Sequence, residues 1–135
     1  MLRKVLIYFR ALIFSPFYYA KLKYGNSLHL NIGSGVDYRK NFINVDLDYN
    51  FKVDLISDGI SALKLCKNLS VETVVMSHIV NYMYIWEFEE LLSICKNKLK
   101  YNGKIIFENP DLDLIIKNMD NSEPLSEIYF DSIRA

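Results

Sequence analysis

The stretch Leu28-His29-Leu30-Asn31-Ile32-Gly33-Ser34-Gly35, followed eleven residues later by Asp46, constrains this chain more than any other part of it. A short apolar run drives into a Gly-x-Gly turn, and a second apolar run, Phe42-Ile43-Asn44-Val45, ends on a carboxylate. That order reads as a buried strand, a tight glycine loop, and a second strand presenting an acid at its carboxyl end. In an open parallel sheet such strand ends face the same crevice, where nucleotide-like ligands bind. Glycine allows the backbone of the turn to take positive φ and to approach a ligand closely. A carboxylate accepts hydrogen bonds from both hydroxyls of a ribose. The two strand ends are therefore expected to hold an adenosyl cofactor.

The 135-residue length suits one domain with a real core. Half of the residues are apolar, which excludes disorder by composition. The formal net charge of zero hides an asymmetry. Residues 1–24 carry Arg3, Lys4, Arg10, Lys21 and Lys23 and no acid, whereas the remainder is net acidic. An acidic body argues against a nucleic-acid groove, which needs a basic face. Cys66 and Cys95 lie far apart, each in a helical pattern among apolar neighbours, and read as buried reduced thiols. Two cysteines and two scattered histidines supply no zinc set, and no metal site is expected.

Residues 1–26 read as a basic, apolar segment with a helical pattern. Arg10 interrupts its apolar run and Ser15-Pro16 ends it, short of the roughly 20 residues a spanning helix needs. A secretory signal fits poorly, because no small-x-small cleavage site follows. Two readings remain: a helix packed on the sheet or on a partner subunit, and a helix in the membrane interface with its cations near anionic headgroups. The expected location is cytoplasmic, peripheral at the inner face of the membrane if residues 2–24 make that contact.

Residues 27–119 carry the main domain. The pattern predicts strands at Leu28–Ile32, Phe42–Asp46, Val53–Asp58, Val71–His78 and Lys104–Asn109. Helices are predicted at about Ile60–Asn68, capped by Asp58 or Ser61, at Ile85–Leu99, stopped by Asn102-Gly103, and at Leu112–Met119. The links between the first three strands are short, which by itself suggests antiparallel hairpins, whereas the later strand–helix alternation favours parallel pairing. The expectation is an α/β fold: a Rossmann-like, open, mostly parallel sheet of about five strands with flanking helices in three layers. Residues 120–135 form a C-terminal tail.

This ordered series resembles the class I S-adenosylmethionine-dependent methyltransferases, and more narrowly the small ones of bacterial surface-polysaccharide gene clusters. The resemblance rests on Leu30-Asn31-Ile32-Gly33-Ser34-Gly35, Phe42 to Leu47, Val53-Asp54-Leu55 with Asp58, Ser77-His78-Ile79-Val80, the run from Trp86 to Leu92, Leu99 to Ile106, and Pro110-Asp111-Leu112. It implies S-adenosylmethionine as cofactor and methyl transfer to a sugar or other small acceptor. Asn31, Gly33, Ser34 and Gly35 would wrap the methionine part with backbone groups, and Asp46 would take the ribose hydroxyls. Asp58, Gly59 and Ile60 would border the adenine, and Ser77 would face the methionine end or the acceptor. His78 would be the catalytic base if the acceptor is a hydroxyl, since imidazole titrates near neutral pH. A purely structural histidine in the turn is the competing reading.

The chain departs from the pattern in three places. Asn31 stands where an acid is usual, Asn81-Tyr82 replaces Glu-His, and the family continues beyond the fifth strand. The readings are a fragment, a minimal variant, or a chain whose exposed sheet edge is covered by a partner, such as a second copy in a homo-oligomer, since an unpaired edge strand is an association liability. The rival functions are a cofactor-binding but catalytically silent domain, a membrane-surface interaction module, and a dinucleotide oxidoreductase. The last is disfavoured because Gly33-Ser34-Gly35-Val36-Asp37-Tyr38 lacks the third glycine. Tyr82, Tyr84 and Trp86 read either as acceptor-pocket residues or as an ordinary aromatic start to a helix.

Overall fold

The computed structural model describes residues 15–109. The expected helix at Leu112–Met119, the tail, and most of the basic N-terminal segment lie outside these residues. Helix α1 occupies residues 15–24 and leads through Gly25 into strand β1, Leu28–Ile32. Then follow β2 (Ile43–Asp46), β3 (Leu55–Ile56), α2 (Gly59–Leu65), β4 (Val71–Ser77), a 3-10 turn at Val80–Tyr82, α3 (Ile85–Lys98) and β5 (Leu99–Glu108). Among the described helices, none is long and apolar enough to cross a membrane.

The five strands form one sheet in the order β3-β2-β1-β4-β5, and every pairing is parallel. The fold is thus Rossmann-like α/β, and the parallel reading prevails over hairpins. Short links suffice because β1 and β2 are only five and four residues long. At about 3.3 Å per residue, a ten-residue extended loop can return along such strands without a helix.

Register sorts the side chains. Leu30 lies beside Ile43 and Val74, and Ile32 beside Val45 and Met76, so these residues share one face. They are fully buried together with Leu55, Ala62 and Leu63 of α2, Leu91 and Cys95 of α3, and Leu22 of α1. Each such aliphatic side chain contributes roughly 1.5–3 kcal/mol by leaving water. The opposite face of β1 and β2 carries the neighbours Asn31 and Asn44, both fully buried.

Boundaries differ from the sequence reading at three elements. β3 keeps only two residues of the expected six. Helix α2 ends at Leu65, because Cys66 is already extended and its N–H turns back to the Leu63 carbonyl. Helix α3 passes directly into β5 at Leu99, so Asn102-Gly103 lies within the strand and does not stop the helix. There Val71 pairs with Leu99 but Thr73 with Lys104, and the chain around Gly103 forms the bulge that absorbs the difference.

Candidate functional site

The carboxyl ends of the strands open into a cleft of about 760 Å³. It sits where the strand order reverses, between β1 and β4, the switch point at which open α/β sheets bind ligands. Gly33, Ser34, Gly35, Asp46, Asp58, Gly59, Ile60, Ser77 and His78 all line it. Asn31 does not: it lies fully buried beneath the loop.

The Gly33–Gly35 turn is closed by β2. Gly33 and Ser34 donate their N–H groups to the Val45 carbonyl at 2.9 and 3.1 Å, and Gly35 donates to Asp46 Oδ2 at 2.8 Å. Gly33 has φ +66, and a Cβ there would meet Ile79 at 2.8 Å. Gly35 has φ +47 and faces open space. The turn's N–H donors are thus spent within the protein. What it can offer a ligand is carbonyl oxygens and room. Asp46 is held from both sides, because its Oδ1 accepts from Asp48 N at 2.8 Å.

Beneath the turn is a polar cluster. The Asn31 side-chain amide donates to the Asp37 carbonyl at 2.6 Å and to Asn44 Oδ1 at 3.0 Å. Asn44 Oδ1 also accepts from Arg39 N, and its amide donates to the carbonyls of Arg39 and Phe42 and to Asp54 Oδ2. Asp54, buried to 1% exposure, takes a further bond from Asn44 N, and its Oδ1 takes one from the Tyr38 hydroxyl. Arg39 bridges Asp37 and Glu108, spanning from the loop to the end of β5. Burial opposes the charge on Arg39, but its bonds to Asp37 and Glu108 prevail and raise its pKa. Sequence reasoning assigned no role to Asn44, Asp54, Tyr38 or Arg39. The available signal was a polar residue inside each of two apolar runs, Ile43-Asn44-Val45 and Val53-Asp54-Leu55.

On the far side of the cleft, Asp58 caps α2 by accepting from Ser61 N at 2.8 Å. Partial burial works against its charge, yet the Ser61 and backbone N–H bonds hold its carboxyl below the usual range. Gly59 lets α2 start against β1, since a Cβ there would fall 2.3 Å from Ile32 Cγ2. His78 follows β4 directly, in the left-handed region at φ +57, with its N–H on the Glu108 carbonyl at 2.8 Å. Left-handed backbone at a bulky residue costs energy and concentrates at functional sites.

The lining has a consistent electrical character. Among the described residues it includes four carboxylates, Asp37, Asp46, Asp58 and Glu87, and no lysine or arginine. Ser34 is 2% exposed, and its hydroxyl finds no hydrogen-bond partner among the described residues. Tyr82 and Met83 also line the cleft, whereas Tyr84 and Trp86 stand outside it. Among the described residues no group of three or more metal-ligating side chains assembles.

No protein-family model matches the sequence, and no curated protein matches it. A solved structure does. The crystal structure of a SAM dependent methyltransferase from Archaeoglobus fulgidus aligns with a TM-score of 0.57 at 23% identity. The alignment covers 96% of this chain and 68% of that one. This likeness is one of fold.

Proposed function

We propose that this chain is an S-adenosylmethionine-dependent methyltransferase. The observation that carries the reading is a switch-point cleft lined, among the described residues, by four carboxylates, of which only Asp37 is paired with an arginine, and by no lysine or arginine, with the glycine-turn N–H groups already engaged. Phosphates and pyrophosphates need donors and positive charge at this position. A ligand whose sulfonium, ammonium and two ribose hydroxyls outnumber its single carboxylate needs mostly acceptors, and acceptors are what the cleft supplies. The buried Ser34 hydroxyl is the sort of unsatisfied group that a polar ligand would complete. The name of the fold neighbour agrees with this reading.

When bound, the cofactor would supply an electrophilic methyl group. This chain's residues would bind and orient it. Gly33, Ser34 and Gly35 would border the methionine part, Asp46 would accept from the ribose, and Asp58, Gly59 and Ile60 would flank the adenine. Asn31 would act indirectly, by holding the loop from below. Ser77 and His78 would face the reacting end, with His78 taking the acceptor's proton. The resemblance of the ordered sequence stretches favours a sugar or other small acceptor in bacterial surface-polysaccharide biosynthesis. The basic, aromatic-rich residues 2–24 favour either contact with a membrane surface or packing on the sheet or on a partner subunit.

Titration calorimetry with S-adenosylmethionine, ATP and NAD tests the cofactor reading. Binding of the first alone is expected, and preference for either phosphate-bearing ligand overturns it. Asp46→Asn should weaken cofactor binding by roughly tenfold or more, since a hydrogen bond to a charged group contributes about 1.5–3 kcal/mol. His78→Asn keeps a residue that tolerates positive φ. It should retain cofactor affinity while methyl transfer from labelled cofactor to a polysaccharide extract falls about 10²–10⁴-fold. Undiminished transfer would leave His78 a turn residue only.

A further inference from the structure

The geometry points to a subsite for an uncharged sugar ring on the stacked Tyr84–Trp86 pair, carried on the segment that also lines the cleft. This rests on the methyl-transfer reading and specifies where its acceptor would sit. The two rings lie 4.5 Å apart with planes 6° from parallel. Both are more than 60% exposed at the start of α3, as is Ile85 between them. The interior does not use them: α3 turns Leu91 and Cys95 into the core. A flat aromatic surface left in water offers a large apolar contact area to a ligand.

The segment divides its side chains between two tasks. Tyr82, Met83 and Glu87 line the cleft, and Tyr84 and Trp86 form the stack outside it, so one short segment serves both. Charge selects the class of occupant. Glu87 and Glu89 follow Trp86 along α3, Glu90 is paired with Lys64 Nζ at 2.8 Å, and no lysine or arginine occurs from Val71 to Cys95. An anionic membrane or a sugar carried on a diphosphate would find no cation on this segment to pair with. A neutral sugar suits both features. Its polarised C–H face lies against the negative face of the aromatic ring, and its hydroxyls donate to the neighbouring carboxylates.

Trp86 is the chain's single tryptophan, so its emission reports on the platform directly. Full-length protein is titrated with maltotriose, mannotriose and a rhamnose-containing trisaccharide, and separately with UDP-glucose and phosphatidylserine vesicles. A saturable shift or quench with at least one trisaccharide is expected, weakened at least tenfold in Tyr84→Ala. That variant keeps the helix cap, because Glu87 Oε2 accepts from the Tyr84 backbone N–H at 2.9 Å. Its cofactor affinity by calorimetry should match that of the unaltered chain. The subsite is overturned if no trisaccharide changes the emission, if only UDP-glucose or vesicles do, or if Tyr84→Ala responds as the unaltered protein does. Failure of cofactor binding in the unaltered chain would instead refute the methyl-transfer reading, and the sugar titration stands apart from it.

Discussion

Gly59 illustrates how one atom can decide the placement of a cleft wall. Its neighbour Ile32 is fully buried and β-branched, so the methyl 2.3 Å from a Cβ at position 59 has nowhere to go. Gly59→Ala is therefore expected to push α2 off the sheet at a cost of about 1–3 kcal/mol, read as a drop of several degrees in Tm. An unchanged Tm would show that the helix start yields easily. Sequence reading marked Gly59 for its place beside a ligand, but the steric reason could not be seen there, because the clash comes from a residue twenty-seven positions earlier. Gly33 was legible on better grounds. A Gly-x-Gly after an apolar run implies positive φ, and the structure has it at both glycines.

At the scale of elements, the loop between β1 and β2 takes the place of a crossover helix, and Asn44 is its internal fastener. Its side chain accepts from one backbone N–H and donates to two carbonyls of that loop, in addition to Asp54. Asn44→Ala would strip these bonds and leave buried partners unsatisfied, each worth about 1–3 kcal/mol. The expected outcome is a loss of several kcal/mol in denaturant unfolding, together with weakened ligand binding at the distant turn. A stability loss below about 1 kcal/mol would contradict this role. Strand order and direction were only partly legible for the same reason. Short links resembled hairpins, and what lets them run parallel is a polar cluster assembled from β1, β2 and the segment before β3. The strands at Leu28–Ile32 and Val71–Ser77 were readable from β-branched and apolar runs. The start of β5 was not, since Asn102-Gly103 signals a turn and here fills a bulge.

Across the whole molecule, α2 and α3 meet over the sheet where Cys66 and Cys95 are buried at 2% and 0% exposure. Burial pushes both thiols up to about 11. At pH 8 only about one thiol in a thousand is then ionised, and neither is accessible. Iodoacetamide should leave both cysteines unmodified in the folded protein and label both in guanidinium, as read by mass spectrometry. Labelling of either without denaturant would mean that this helix pair opens independently of the sheet. The candidate cleft was legible as a set of strand ends, namely Gly33, Asp46, Asp58 and His78. Its electrical character was not, because Asp37 and Glu87 join the lining only once loop and helix are folded over it.

The closure of the glycine turn by β2 carries a thermodynamic implication. Its three amides are satisfied by Val45 and Asp46 with no ligand required, so the socket is built by folding and not by binding. A ligand arriving there has little chain entropy to remove, and its affinity reflects the contacts it makes rather than a loop it must first organise.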